Sequence, residues 1–187
     1  DPERLDMGQV ARARQTFFEN LPLRRDATVP DRIYKRIRWG RTVEVFVLDC
    51  RGERLPSTRM GPMATYMSRA QLDWLKAGLM DSTAVFKLIA NSVPIGDFPD
   101  LFGAGDRWEG YPVQRTEIVD FIDDMGIEGV SWVSGDFHLG SIGYVGAMSG
   151  AGATQLEVLA GPGCQVPNPL SFLLGMPQFD FATAENN

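Results

Sequence analysis

Histidine is almost missing from these 187 residues: His138 is the only one. A Ser-His-acid triad would have to be built around that position, and no nucleophile-elbow motif accompanies it. Cysteine is scarce as well. Cys50 and Cys164 are too few for a disulfide framework or a zinc knuckle. Cys50 ends an apolar run and reads as a small buried hydrophobe. Cys164, in a Gly-Pro-Gly-Cys loop, reads as a free thiol, and a bridge between the two stays open. No apolar run approaches the ~20 residues that cross a bilayer. The polar, acidic start carries no signal-peptide pattern. Ser149-Gly-Ala-Gly-Ala lacks the Lys-Ser/Thr of a phosphate loop and reads as a flexible turn. No repeat, low-complexity tract or linker divides the chain, so a single domain over residues 1–187 is expected.

What is present is an ordinary globular composition, 44% hydrophobic and 22% charged, enough for a real core. The net charge of −6 is unevenly spread. Residues 1–60 hold 13 of the 18 Lys and Arg and 9 of the 24 Asp and Glu, a local balance of +4, and the remainder carries −10. A basic first third suits either an anionic ligand or an acidic neighbouring surface. The acidic whole argues against nucleic acid as the main partner.

Hydrophobic periodicity orders the elements. Met7 to Asn20 reads as a helix with Val10, Ala13, Phe17 and Phe18 near one face, stopped by Pro22. Arg32–Trp39 alternates as a strand, and Gly40-Arg41 turns it back into Val43–Leu48. Ser68-Arg-Ala-Gln71 fits a capping box ahead of a helix to about Asp81 with Leu72, Leu75 and Leu79 buried. Val85–Val93 is the next strand. Pro94–Pro112 is a long loop rich in Gly, Pro and aromatics. Val113–Met125 is a helix that Gly126 caps, Val130–Ser134 a buried strand, and Ile142–Ala147 and Leu156–Leu159 shorter ones. The tail, with a brief apolar patch at Leu170 to Leu174, shows no capped element. Alternating helices and strands mean a layered α/β architecture.

Chemistry gathers where charged groups leave buried strands. Gly135 breaks the strand Val130–Ser134, and Asp136 and His138 follow it. In extended backbone, residues two apart point the same way, and a carboxylate beside an imidazole suits a first-row metal ion. The same spacing also describes an inert, hydrogen-bonded histidine at a turn. Asp49-Cys50-Arg51 leaves the strand Val43–Leu48, with a solvated loop as the plain alternative. Asn91 is the polar group near the end of Val85–Val93.

Five stretches in order resemble one family. They are Phe-Phe-Glu-Asn-Leu-Pro-Leu-Arg (17–24), Phe-Val-Leu-Asp-Cys-Arg (46–51), Gln-Leu-Asp-Trp-Leu (71–75), Arg-Trp-Glu-Gly-Tyr-Pro (107–112) and Ser-Gly-Asp-Phe-His (134–138). Together they are similar to the later part of the catalytic domain of PhoD-like alkaline phosphatases, within the calcineurin-like metallophosphoesterase superfamily. The resemblance implies part of a four-layer αββα sandwich with a multinuclear metal centre, iron with calcium or other divalent metals, at the sheet ends. It implies hydrolysis of phosphate monoesters and diesters by a metal-activated water, in a parent protein that is periplasmic or secreted. Asp136 and His138 would be metal ligands and Asn91 a third. Arg51 would grip the phosphate with its planar guanidinium. Tyr111, in the Trp108–Tyr111 segment, is either a substrate contact in a pocket wall or lid, or simple loop packing.

The departures from that pattern are equally specific. The superfamily's earlier ligand motifs (an Asp with a His or Cys, a Gly-Asp, an Asn or Asp with a neighbouring His) have no counterpart, and no second histidine exists. The expectation is a C-terminal portion of the catalytic domain, truncated at both ends, with missing ligands supplied by other sequence or a complementary chain. A non-catalytic half-domain is the alternative. A metal-free binding module for anions, using the N-terminal arginines, is a third. Strands 43–48, 85–93 and 130–134 are then expected to expose an apolar face.

Overall fold

A computed structural model of the chain describes residues 3, 5–96, 98, 106–146, 150–161, 163 and 179–183. Cys164 and the apolar patch at Leu170 to Leu174 lie outside the described residues. Helix α1 spans Met7–Asn20, α2 Arg69–Asp81 and α3 Pro112–Asp124. The strands are β1 Lys35–Trp39, β2 Val43–Val47, β3 Phe86–Ala90, β4 Val130–Ser134, β5 Gly140–Tyr144, β6 Leu156–Leu159 and β7 Phe179–Thr183.

The strands form one mixed sheet in the order β1-β2-β3-β4-β6-β5-β7. β2, β3, β4 and β6 run parallel at its centre, while β1 pairs antiparallel with β2, and β5 antiparallel with β6 and β7. Cross-strand register aligns Phe46, Ile89, Trp132 and Glu157 in one row. Helices α2 and α3 pack on the face this row presents. Leu72, Leu75 and Leu79 from α2 and Ile118, Val119 and Ile122 from α3 join Phe46, Ile89 and Trp132 in the core. Gly78 lets α2 approach closely, since a Cβ there would lie 2.7 Å from the Phe46 ring. Burying these side chains contributes roughly 2 kcal/mol each, and the α/β class is the result.

Several expectations change in detail. β1 starts at Lys35 rather than Arg32, β2 stops at Val47, and β3 is trimmed at both ends. β5 lies two residues earlier than Ile142–Ala147. The tail contributes β7, an edge strand paired with β5, where no element was expected. α1 begins with an Asp6/Gln9 capping box: Asp6 Oδ1 accepts from the Gln9 backbone N–H at 2.8 Å and the Gln9 side-chain Oε1 accepts from the Asp6 backbone N–H at 2.9 Å. The box expected on α2 is only half made. Ser68 Oγ accepts from the Gln71 amide at 3.2 Å, but the Gln71 side chain turns elsewhere. Gly126 follows α3 with φ +60°, the left-handed conformation a helix C-terminus calls for.

Candidate functional site

Because β2, β3 and β4 are parallel neighbours, their carboxyl ends open on the same edge of the sheet. Asp49–Arg51, Asn91 and Gly135–His138 leave from those three adjacent mouths, the place where open α/β sheets bind ligands. The Asn91 amide still donates to Val133 O at 2.9 Å and Leu48 to Ala90 O at 3.0 Å, so the three mouths are held side by side.

The Asp136–His138 segment is not extended. Asp136 has φ +64° and His138 φ +55°, two of three non-glycine residues with positive φ among the described residues. The strand alternation used to align the two side chains therefore ends at Gly135, and a turn in the left-handed region replaces it. Such backbone costs about 1–3 kcal/mol per residue and persists only where the surroundings enforce it. The enforcing group is Phe137 between them: its buried ring sits 4.5 Å from Phe98 and under the Arg107 guanidinium at 5.0 Å. Asp136 is left 59% exposed, with Oδ2 3.3 Å from Arg51 Nη2.

Arg51 is aimed by its loop. Asp49 folds back so that its Oδ1 accepts from the Gly52 amide at 2.6 Å and the Arg51 amide at 3.3 Å. A Cβ on Gly52 would overlap the Asp49 carboxylate, so a larger residue there would push that carboxylate out of its present position. Burial pushes the Asp49 pKa up despite the Gly52 amide. Gln71 then clamps the Asp49 backbone, its Oε1 accepting from Asp49 N at 2.7 Å and its Nε2 donating to Asp49 O at 3.1 Å. The same Nε2 donates to Glu53 Oε2 at 2.6 Å, which also accepts from Ser68 N at 3.0 Å. The N-terminus of α2 is thus tied to the Arg51 loop.

Beyond Arg51 runs an alternating line of charge that the sequence reading missed. Arg51 Nη1 meets Asp106 Oδ2 at 2.7 Å, and buried Arg54 meets Asp106 Oδ1 at 2.8 Å and its carbonyl at 2.6 Å. Burial opposes the charge on Asp106, but Arg51 and Arg54 outweigh it and hold its carboxyl below the usual range. The available signal was Arg-Gly-Glu-Arg, two cations three apart in one loop.

Two expected site residues turn inward. Asn91 is buried; its Oδ1 accepts from Cys50 Sγ at 3.1 Å and Ser92 N at 3.0 Å, and its Nδ2 donates to Val93 O at 2.6 Å. Tyr111 is 0% exposed, its ring 5.1 Å from Tyr66, which also packs on Trp108 at 4.0 Å. Tyr111 therefore packs in the core, the second of its two expected roles, and Arg107 of the same motif is largely buried too, paired with Glu109 at 3.1 Å and stacked on Phe137. Cys50 is a free, buried thiol whose pKa burial pushes up to about 11, in keeping with a structural role.

The donors at the strand mouths suit a metal ion in kind, a carboxylate oxygen and an imidazole. In number they fall short. Among the described residues no three His, Cys, Asp or Glu side chains converge as a metal-holding group.

A model of the PhoD-like phosphatase family matches residues 3–163. Alkaline phosphatase D of Bacillus subtilis (strain 168) is 29% identical over 147 residues, covering 68% of this chain and 25% of that protein. A solved structure, "Structure of PhoD", superposes with a TM-score of 0.77 over 95% of this chain and 40% of that one, at 21% identity. The chain thus spans about a quarter of the curated relative's length and two-fifths of the solved one. With most of its length inside the family model, and with the fold shared, this chain belongs to the PhoD-like phosphatase family.

Proposed function

We propose that this chain forms part of a metal-dependent phosphoester hydrolase whose reaction takes place at the mouths of β2, β3 and β4. The observation that carries this is the strained turn Asp136–His138 at the mouth of β4, with the Asp136 carboxylate 3.3 Å from Arg51. Backbone strain at two polar residues that flank a buried phenylalanine is the kind of feature that folds keep at functional sites. Asp136 and His138 would hold one side of a metal centre, with iron and calcium as the metals the family resemblance implies. A bound metal of this kind polarises phosphoryl oxygens and generates a nucleophile from water at neutral pH. Arg51, steadied by Asp106, would grip the phosphate through its guanidinium N–H groups and orient the ester for in-line attack by water. Asn91 joins as a ligand only by giving up Cys50 and Ser92. The remaining donors, and the second sheet of a four-layer sandwich, would come from other sequence or a complementary chain.

The second reading is a non-catalytic half-domain. The shortage of converging donors favours it. Elemental analysis of the purified chain, with turnover of p-nitrophenyl phosphate and bis-p-nitrophenyl phosphate on the same sample, separates the two. The expected result is bound metal and turnover that falls at least ~100-fold in Asp136→Ala. A folded sample without metal or turnover would support the half-domain instead.

A further inference from the structure

The apolar face of α1 does not do what its pattern predicts. Val10, Ala13 and Phe17 share a helix face, yet only Phe18 of α1 is buried. That face borders an open groove of about 220 Å³ that Leu5 and Ile33 also line. Arg51 and Gly52 form the remaining wall, with Arg14 beside them. The groove is therefore continuous with the residue that faces Asp136.

We infer that this groove is a subsite for the apolar group, aryl or short alkyl, of a phosphoester whose phosphate is held by Arg51. This rests on the phosphoester reading above. An apolar cavity of about 150 Å³ is enough to hold benzene, so this groove has room for a fused or substituted ring. Its two arginines supply the complement to the phosphate end of such a ligand and to nothing in a neutral one. A polyol ester gains nothing from Val10, Phe17 and Ile33, because its hydroxyls would lose water without finding partners. The subsite thus selects esters with an apolar substituent over glycerol-like ones.

The experiment is a set of dissociation constants for the purified chain with four probes: 1-naphthyl phosphate, glycerol 3-phosphate, inorganic phosphate and 1-naphthol. Burying one face of a ring system predicts about a tenfold preference for naphthyl phosphate over glycerol 3-phosphate. Ala13→Trp, an exposed helix position whose new side chain fills the groove, should erase that preference and leave inorganic phosphate binding unchanged. Ala13→Leu, a milder filling, should reduce it partway. Equal binding of the two esters, or a preference that survives Ala13→Trp, overturns the subsite alone. Naphthol binding as well as naphthyl phosphate, with no affinity for inorganic phosphate, overturns the phosphoester reading and the subsite with it.

Discussion

Glu157 is a carboxylic acid set in the middle of the sheet, in register with Trp132 and facing the helices. It is 3% exposed and accepts from Ile95 N at 2.7 Å and Gly96 N at 3.0 Å. Those bonds brace the loop after β3, which carries Phe98 onto the Phe137 ring. Burial pushes its pKa up to about 7 even though the two amides oppose the rise. The sign follows from proton counting. Between about pH 4.5 and 7 the unfolded chain has released this proton and the folded chain has kept it, so stability falls as pH rises through that window. Glu157→Gln keeps the acceptor for both amides and removes the titration. The variant should match the parent near pH 4.5 and exceed it by on the order of 2 kcal/mol at pH 8, read from urea melts. Burial raises Asp49 and Glu109 as well, so the test is the difference between variant and parent rather than the slope of either. Identical pH profiles for the two proteins would show that Glu157 is ionised in the fold. Glu44 and Glu117 do not interfere. Hydrogen bonds from Arg36 and Arg69 respectively hold them at about 2, so their contributions are lost only below about pH 4.5.

At the scale of elements, α2 is the tether of the candidate site, and Gln71 is its knot. Gln71→Leu keeps the volume but leaves the Asp49 N–H, the Asp49 carbonyl and a Glu53 oxygen short of a partner. A loss of roughly 2–4 kcal/mol is expected. The Arg51 loop should loosen with it, exposing Cys50, so thiol labelling in a Cys164→Ser background should accelerate. Ser68→Ala removes only the helix cap, costs about 1 kcal/mol and should leave the labelling rate alone. Equal labelling in the two variants would detach Gln71 from the loop. The sequence made the outline of these elements readable because periodicity and end signals agreed. Leu72, Leu75 and Leu79, the Ser68 cap, Gly126 and the Gly40-Arg41 turn each marked a real feature. It hid what depends on long-range partners. Nothing local says that Gln71 reaches Asp49 across 22 residues, or that Asn91 is taken by Cys50. β5 slipped because its first residues, Gly140 and Ser141, carry no strand-like side chains; their pairing with β6 and β7 makes them a strand. The Asp136–His138 turn was misread because alternation holds only while the backbone is extended.

Among the described residues the sheet has one face covered by α2 and α3 and one that carries many exposed side chains. Register places Ile37, Val45, Leu88, Ser131, Leu156 and Tyr144 in one row of that second face, with Trp39, Val43 and Phe86 beside them. Trp39 is 78% exposed, and Ile37, Phe86, Ile142, Tyr144 and Phe181 are exposed too. On this second face every position of β2 and β3 is apolar (Val43, Val45, Val47, Phe86, Leu88, Ala90), and Phe46 and Ile89 are apolar on the other, as in strands meant to be covered twice. A row of exposed and half-exposed apolar side chains along one sheet face differs from the singly scattered exposed residues of an ordinary monomer. In a solution of the purified chain the occupant at hand is another copy, whose own face is equally open and self-complementary in chemistry. Sedimentation should therefore show association that grows with concentration over the micromolar range, with dye binding to exposed apolar surface in the dilute limit. Phe86→Lys combined with Leu88→Lys puts two like charges at the centre of the face and should shift the chain to monomer. Helical signal should be kept, because α2 and α3 pack on the other side. A Phe46→Lys variant, which places a charge under Gly78, should instead unfold. If the parent chain stays monomeric at ~100 µM and binds no dye, the second face is already covered in solution, and the sheet is complete without a second layer from elsewhere.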